Sequence, residues 1–229
     1  MRVIQNDQYI RSRGRIGRYI FFAGFGALIV GLLISLGPQS LDLFPLSVAC
    51  LVLGLILSQA GGYYMRRFDR GELPHVRITQ ALKGFDDRYT LVNYGTPASH
   101  VLITPDTVYV LTVKPQAGSI TYVNGRWKNP TGLRRIFTWM TEEGLGNPAR
   151  EAASELSRFQ RFIARQIPDT PIEAQPLIVF THPTAEVEAG ASPIPAVHVK
   201  KVKDWLRSRP KGGLTADART ALQRFFKQD

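Results

Sequence analysis

Cysteine is nearly absent from this 229-residue chain, and acidic residues are few beside basic ones. The single cysteine, Cys50, excludes an internal disulfide and a zinc site built from several thiolates, as expected for a reducing compartment. The four histidines lack the close spacing of metal ligands, and the sequence has neither a glycine-rich phosphate-binding loop nor an internal repeat. We therefore predict no metal or cofactor. The net charge of +11 favours anionic partners.

Two long apolar runs lie near the beginning of the chain. Residues 19–36 and 43–65 contain no charged side chain, and both lengths fall within the roughly 17 to 25 residues that cross a bilayer as a helix. The joining residues 37–42 carry glycine and proline and predict a turn. A signal peptide fits poorly because the second run follows at once, and a buried soluble hairpin fits poorly because both runs are long. The sequence therefore predicts a transmembrane hairpin over residues 19–65.

Glycines within the two runs leave one question open. Gly24, Gly26, Gly31 and Gly54 are tolerated in membrane spans and permit close helix approach. Gly24 and Gly31 lie seven residues apart on one helix face. That spacing is compatible with helix packing and also with contact to lipid.

Positive charge flanks the hairpin asymmetrically. The joining segment has no lysine or arginine, so the positive-inside rule predicts a multi-pass protein of the cell membrane with both termini in the cytoplasm. We predict a basic cytoplasmic segment over residues 1–18, the hairpin over 19–65 and a cytoplasmic domain over 66–229. The flanking residues are Arg2, Arg11, Arg13, Arg15 and Arg18 before the hairpin and Arg66, Arg67 and Arg70 after it.

The remaining chain alternates strand and helix signals. Runs rich in β-branched residues predict strands over 89–94, 101–103, 108–113 and 120–123, and Asn124-Gly125 predicts a hairpin turn after the last of them. Pro148 after Asn147 predicts the start of a long helix ending near residue 166. Its predicted apolar stripe is Ala152, Leu156, Phe159 and Ile163. Further predicted elements are helices starting at Pro74 and covering 133–140 and 214–226, and strands over 177–180 and 196–199.

Residues 99–120 carry an ordered set of short signals. A polar residue precedes a histidine, and a turn with proline then separates two apolar strands. A lysine at the end of the second strand is followed by a glycine. Here the pattern reads Ser99-His100, Pro105, Thr112-Val113-Lys114 and Gly118, with Trp127 and Asn147-Pro148 downstream. The order of these residues along the chain resembles that of the NERD (nuclease-related) domain family, which belongs to the restriction-endonuclease-like PD-(D/E)xK superfamily. The resemblance covers roughly residues 72–180. It implies an α/β fold with an α-β-β-β-α-β core behind the hairpin.

The resemblance also implies a catalytic site, from which this chain departs. The family usually has Asp-His and Glu-x-Lys, and the two acids of the superfamily hold a divalent metal that activates water. Ser99 and Thr112 stand at those positions and offer neutral hydroxyls, whereas Mg²⁺ prefers carboxylates. Lys114 remains, either as a phosphate contact or as a residual side chain reaching out from the strand end. The chain thus resembles a catalytically degenerate member.

A carboxylate from elsewhere in the chain could take over the metal. Glu151, at the start of the long predicted helix, is the candidate, although a favourable charge in a first helical turn is the simpler explanation. Glu72 precedes the first helix of the domain, and Asp106 lies in the turn at the far end of the lysine strand, too far from Lys114 to contribute. Only a rearranged site of this kind would bind Mg²⁺.

Basic residues form two further groups in the predicted cytoplasmic domain. A solvated helix face would account for both groups, and so would contact with nucleic-acid phosphates or with anionic lipids of the inner leaflet. The candidate phosphate-binding residues are Arg150, Arg158, Arg161 and Arg165 on the long helix and Lys200, Lys201 and Lys203 after the last predicted strand.

Three functions are compatible with these observations. We favour a membrane-anchored, non-catalytic binding or scaffold module, whose partner beyond the lipid bilayer is unidentified. The alternatives are a metal-dependent nuclease with rearranged ligands and a membrane-surface protein that binds anionic lipids. Loss of both acids separates the first from the second, and sensitivity to anionic lipid rather than DNA separates the first from the third.

Overall fold

The computed structural model describes residues 1–37, 42–69, 73–130, 144–210 and 212–226. The chain divides into two compact units, one comprising Met1–Asn6 and Pro74–Asp229 and the other Asp7–Leu73. The predicted helix over residues 133–140 lies outside the described residues, as do Arg70, Glu72 and most of the predicted turn over 37–42. The predicted class, mixed α/β with two apolar helices near the N-terminus, is confirmed.

Two long helices, α1 (Asp7–Leu36) and α2 (Phe44–Phe68), make up the second unit. Within the described part of the chain, they are the helices long and apolar enough to cross a membrane. Only 11% of the most apolar window of α1 and 17% of that of α2 is buried. Phe22, Leu33 and Ile56 are each more than half exposed. An outward apolar surface of this kind fits contact with lipid better than the interior of a soluble protein.

Glycines line the contact between α1 and α2, so Gly24 and Gly31 serve packing rather than lipid contact. A Cβ atom at Gly24 would lie 2.5 Å from the Ser58 amide nitrogen, and one at Gly54 would lie 2.8 Å from the Gly24 carbonyl oxygen. Such distances are shorter than van der Waals contact, so glycine is what allows the two backbones to approach this closely. The buried glycines at seven-residue spacing are Gly17, Gly24 and Gly31 on α1 and Gly54 and Gly61 on α2.

The strands of the other unit form two sheets. Among the described residues, the main sheet has the order β1-β2-β3-β4-β7-β9 and the smaller sheet the order β6-β5-β8. In the main sheet β3 is antiparallel to both neighbours, and the other adjacent pairs are parallel. The carboxyl ends of the parallel strands therefore meet the beginning of β3 at one edge. The strands are β1 (Arg2–Gln5), β2 (Thr90–Asn93), β3 (His100–Ile103), β4 (Val108–Lys114), β5 (Gly118–Val123), β6 (Arg126–Lys128), β7 (Ala174–Phe180), β8 (Ala185–Glu188) and β9 (Ala196–His198).

The first residues of the chain belong to the main sheet, which the sequence pattern did not predict. β1 pairs in parallel with β2, so that Val3 lies opposite Leu91 and Ile4 opposite Val92. Residues 1–18 therefore supply an edge strand and about three turns of α1 rather than a separate basic segment. Four residues, of which three are exposed, carry too short an apolar pattern to identify a strand.

Helices cover both faces of the main sheet. Side chains alternate along β4, so Val108 and Val110 pack with one pair of helices while Tyr109 and Leu111 pack with the other pair. The first pair is α4 (Pro148–Gln166) and α6 (Ala216–Phe225), and the second is α3 (Pro74–Leu82) and α5 (Val202–Arg207). The smaller sheet packs Ile120 against Ala152 of α4 and against β7. The domain is therefore layered α/β/α, with a core on each side of the main sheet.

Candidate functional site

Polar side chains from three elements converge at the carboxyl edge of the main sheet. Thr112 and Lys114 end β4 and project from one face of the strand because they are two residues apart. Ser99 directly precedes β3, which pairs with β4. The first turns of α4 cross this face and bring Glu151 and Glu155 to the strand ends. The residues predicted from the sequence are thus neighbours, and one unpredicted residue joins them.

The unpredicted residue is Glu155, whose carboxylate joins β4 to the residue that precedes β3. Its Oε1 accepts a hydrogen bond from Ser99 Oγ at 3.0 Å, and its Oε2 accepts one from Thr112 Oγ1 at 2.9 Å. Glu155 is 8% exposed and Thr112 is 4% exposed. A buried carboxylate is expensive without donors, so the two hydroxyls stabilise the charge that α4 places here. Arg158 adds a longer contact, with Nη2 3.9 Å from Oε1.

Lys114 forms an ion pair instead of extending into solvent. Its Nζ lies 2.6 Å from Glu151 Oε2, and its side chain is 6% exposed, whereas that of Glu151 is 48% exposed. The carboxylate thus faces water on one side and the buried ammonium on the other. Gly146 passes close by with φ of +62°, and a Cβ atom there would lie 3.0 Å from Glu151 Oε1. The loop before α4 therefore depends on glycine to pass this ion pair.

Local sequence signals position α4 over the strands. The side chain of Asn147 caps the helix by accepting a hydrogen bond from the Arg150 amide at 3.1 Å, and Pro148 occupies the first turn. The buried face comprises Pro148, Ala152, Glu155, Phe159 and Ile163, whereas Leu156 is only partly buried. The sequence signal that could have identified Glu155 is its spacing, because it falls at a helical interval among the buried residues Ala152, Phe159 and Ile163. The predicted apolar stripe included Leu156 at this level of the helix and therefore did not include Glu155.

Several buried polar side chains lie next to the turn that carries Ser99. His100 Nδ1 and Asn93 Oδ1 are 2.9 Å apart across the β2–β3 pair, which assigns the proton to Nδ1. Asn93 Nδ2 donates to Thr79 Oγ1 at 3.4 Å. Tyr94 has a φ of 56°, rare for a residue with a side chain, and its ring packs edge-on against that of His100. These contacts connect the residues that flank the turn carrying Ser99.

The predicted phosphate-binding residues do not form one surface. Arg150, Arg158, Arg161 and Arg165 are exposed on α4, whereas Lys200 and Lys201 are exposed beside α5 on the opposite side of the sheet. Lys203 is half-buried, and its Nζ donates to the Lys83 carbonyl oxygen. The main sheet therefore lies between the two groups.

Carboxylates at this edge are few. Among the described residues, no group of three or more histidine, cysteine, aspartate or glutamate side chains is placed to share a metal ion. Glu151 and Glu155 are the acidic side chains that contact the strand ends through hydrogen bonds or ion pairs. Comparison with protein-family models, curated proteins and solved structures gives no match for this chain. The resemblance to the NERD domain stays a prediction.

Proposed function

We propose that this chain is a membrane-anchored, cytoplasm-facing domain of nuclease-related ancestry that binds a partner and does not cut nucleic acid. The observation that carries this proposal is the Glu155 carboxylate, bonded through both oxygens to Ser99 and Thr112. Anchorage is supported by the two apolar helices, and the cytoplasmic side by the arginines at their outer ends.

The chemistry of this cluster argues against hydrolysis. A metal-dependent nuclease directs carboxylate oxygens at a divalent ion and leaves its lysine near the scissile phosphate. Here the oxygens of Glu155 accept bonds from hydroxyls, and Lys114 is paired with Glu151 at 2.6 Å. Each charged group already has a partner, so the cluster holds α4 on the sheet.

Ancestry is supported by the order of elements. The run α3-β2-β3-β4-α4-β7 has the helix and strand order expected of a restriction-endonuclease-like core, with β5 and β6 set aside in the smaller sheet. Lys114 ends the strand that occupies the expected lysine position. The core assignment is part of the proposal and rests on this order together with the resemblance of residues 99–120.

The second candidate function is a nuclease with rearranged ligands. Glu155 lies between the two positions that are acidic in the related family, and Glu151 lies one turn earlier on the same helix. Rotation of the Ser99 and Thr112 hydroxyls would free the Glu155 oxygens. The two glutamates could then hold one Mg²⁺ beside Lys114.

Cleavage assays on the full chain in lipid nanodiscs separate the two functions. We expect no cleavage of single- or double-stranded DNA or RNA with Mg²⁺ or Mn²⁺. Glu155→Gln and Lys114→Ala are compared with Glu173→Gln, an exposed glutamate far from the cluster. Metal-dependent cleavage that disappears in the first two variants and persists in the third would establish the nuclease and refute our proposal. Cleavage unchanged in all three variants would identify a contaminant.

A further inference from the structure

The segment that follows β9 concentrates positive charge. Residues 199–211 contain six basic side chains and one acidic one, Asp204, and the undescribed position 211 is one of the lysines. Lys200 and Lys201 are exposed, and neither side chain forms an ion pair or a hydrogen bond with a residue that the structure describes. Lys203 differs, because its Nζ donates to the Lys83 carbonyl oxygen. Lys200 and Lys201 therefore keep their donors available to a ligand.

A tryptophan lies among these charges. Lys201, Trp205 and Arg209 follow one another at four-residue intervals along the α5 segment, which places them on one side of it. The Arg209 guanidinium lies over the partly exposed Trp205 ring, with Cζ 4.3 Å from the centroid. The Tyr109 ring of β4 packs edge-on against Trp205 and fixes it to the core. The lysine–tryptophan surface defined in this way comprises Lys200, Lys201, Trp205 and Arg209.

This surface adjoins the carboxyl edge of the main sheet. β1 and β9 run in the same direction, so their last residues, Gln5 and His198, lie at the same edge of the sheet. Lys200 follows two positions after His198, and its amide donates to His198 Nδ1 at 3.3 Å. The chain continues from Gln5 through Asn6 into α1. The edge that carries the lysines is therefore also the edge from which the chain runs on to the apolar helices.

We propose that the lysine–tryptophan surface docks the α/β domain on anionic phospholipids of the bilayer that anchors it. Ammonium groups attract the phosphates of an anionic leaflet, and tryptophan is favoured at the headgroup level because its ring is apolar and its N–H is polar. A tethered domain meets its own leaflet at a high effective concentration, so a few basic residues suffice. The proposal rests on the membrane anchorage proposed above, and it names the lipid headgroup as a partner of the domain.

Nucleic acid is the other polyanion that lysines attract, and the aromatic contacts disfavour it. Proteins that bind single strands present open ring faces on which successive bases stack. Here a single tryptophan belongs to the surface, and Arg209 already covers one face of its ring. We therefore assign the surface to lipid and include nucleic acid in the test.

The test follows Trp205 in the full chain, reconstituted in nanodiscs of phosphatidylcholine with or without phosphatidylglycerol. Trp127→Phe and Trp139→Phe leave Trp205 as the fluorophore, and phosphatidylcholine with a spin-labelled headgroup quenches tryptophan at the bilayer surface. We expect phosphatidylglycerol to increase the quenching, and salt to reverse the increase by screening the charges. Lys200→Gln with Lys201→Gln should lower the docking equilibrium constant about thirty-fold, because each basic residue at an anionic leaflet contributes roughly fivefold.

Two matched variants test whether position and charge both matter. Arg161→Gln with Arg165→Gln removes the same charge from the exposed side of α4 and should leave the quenching unchanged. Lys200→Arg with Lys201→Arg keeps the charge at the surface and should preserve the quenching. An equal loss in the two glutamine variants would indicate a general effect of net charge and would refute the assigned surface.

Three further outcomes would overturn the assignment, and each has a different meaning. Quenching that ignores phosphatidylglycerol, in a chain that co-elutes with the nanodiscs, would refute the docking and leave the anchorage intact. Binding of labelled single-stranded DNA that disappears in the Lys200→Gln, Lys201→Gln variant, without phosphatidylglycerol-dependent quenching, would make this a nucleic-acid surface. A chain that does not enter nanodiscs would refute the anchorage and the docking together. The cleavage assay tests the non-catalytic proposal separately.

Discussion

Replacement of Thr112 by valine should destabilise the α/β domain by about 2 kcal/mol. The substitution keeps the shape of the side chain and removes the hydroxyl that donates to Glu155 Oε2 at 2.9 Å. A hydrogen bond to a buried charged group contributes about 1.5 to 3 kcal/mol, and water cannot replace this donor because both residues are less than a tenth exposed. With a urea m-value of about 2 kcal/mol per M, the unfolding midpoint should fall by about 1 M.

The assay is urea unfolding of the full chain in detergent micelles, followed by tryptophan fluorescence. All tryptophans follow residue 126, so the signal reports the domain and not the helix pair. Thr121→Val, the same change at a half-buried position of β5, serves as control and should shift stability by less than about 0.5 kcal/mol.

A double-mutant cycle tests the assigned partner. In a Glu155→Leu background the carboxylate is gone, so Thr112→Val should be nearly neutral there. An equal loss from Thr112→Val in both backgrounds would refute the hydrogen bond and with it the proposed role of the cluster.

Three further predictions concern other parts of the chain. Gly24→Leu should lower the thermal unfolding temperature of the helix pair in micelles, because a Cβ atom at this position meets the Ser58 backbone. Circular dichroism measures that temperature. Gly26→Leu should leave it unchanged, because the space around Gly26 is open among the described residues. Burial raises the pKa of the Tyr109 phenol above its ordinary value of 10.0, so the domain should lose stability as pH rises above 10.0. Tyr109→Phe should remove that loss in urea titrations. A reporter active only in the cytoplasm should be active after Asp229, whereas activity of an export-dependent reporter there would reverse the topology.

Local signals predicted a large part of the domain correctly. The capped start of α4 at Asn147 and Pro148 is confirmed, because both residues act through groups within four positions of themselves. Asn124 and Gly125 adopt the positive φ values of 53° and 75° that a tight hairpin turn needs. β-branched residues likewise predicted β3 and β4, whose alternation is visible in a short window.

The failures share a dependence on distant partners. β1 is stable because β2, more than 80 positions later, pairs with it. Glu155 has the sequence context of an ordinary helix residue, and only the folded chain brings Ser99 and Thr112 to its carboxylate. Lys200 and Arg158 likewise lie on opposite sides of the main sheet because their helices pack on opposite faces. The amino-acid composition does not determine which face a helix covers.

The position of β1 before α1 bears on how the protein is synthesised. β1 is synthesised before the two apolar helices, and β2, the strand with which it pairs, is synthesised after them. The pairing of β1 with β2 is therefore completed only after both apolar helices have been synthesised, and it requires β1 and β2 to lie on the same side of any membrane that the helices span. A truncated protein that begins after α2 would lack β1 and present the free edge of β2, whose backbone groups would be open to pairing with other chains and thus to aggregation.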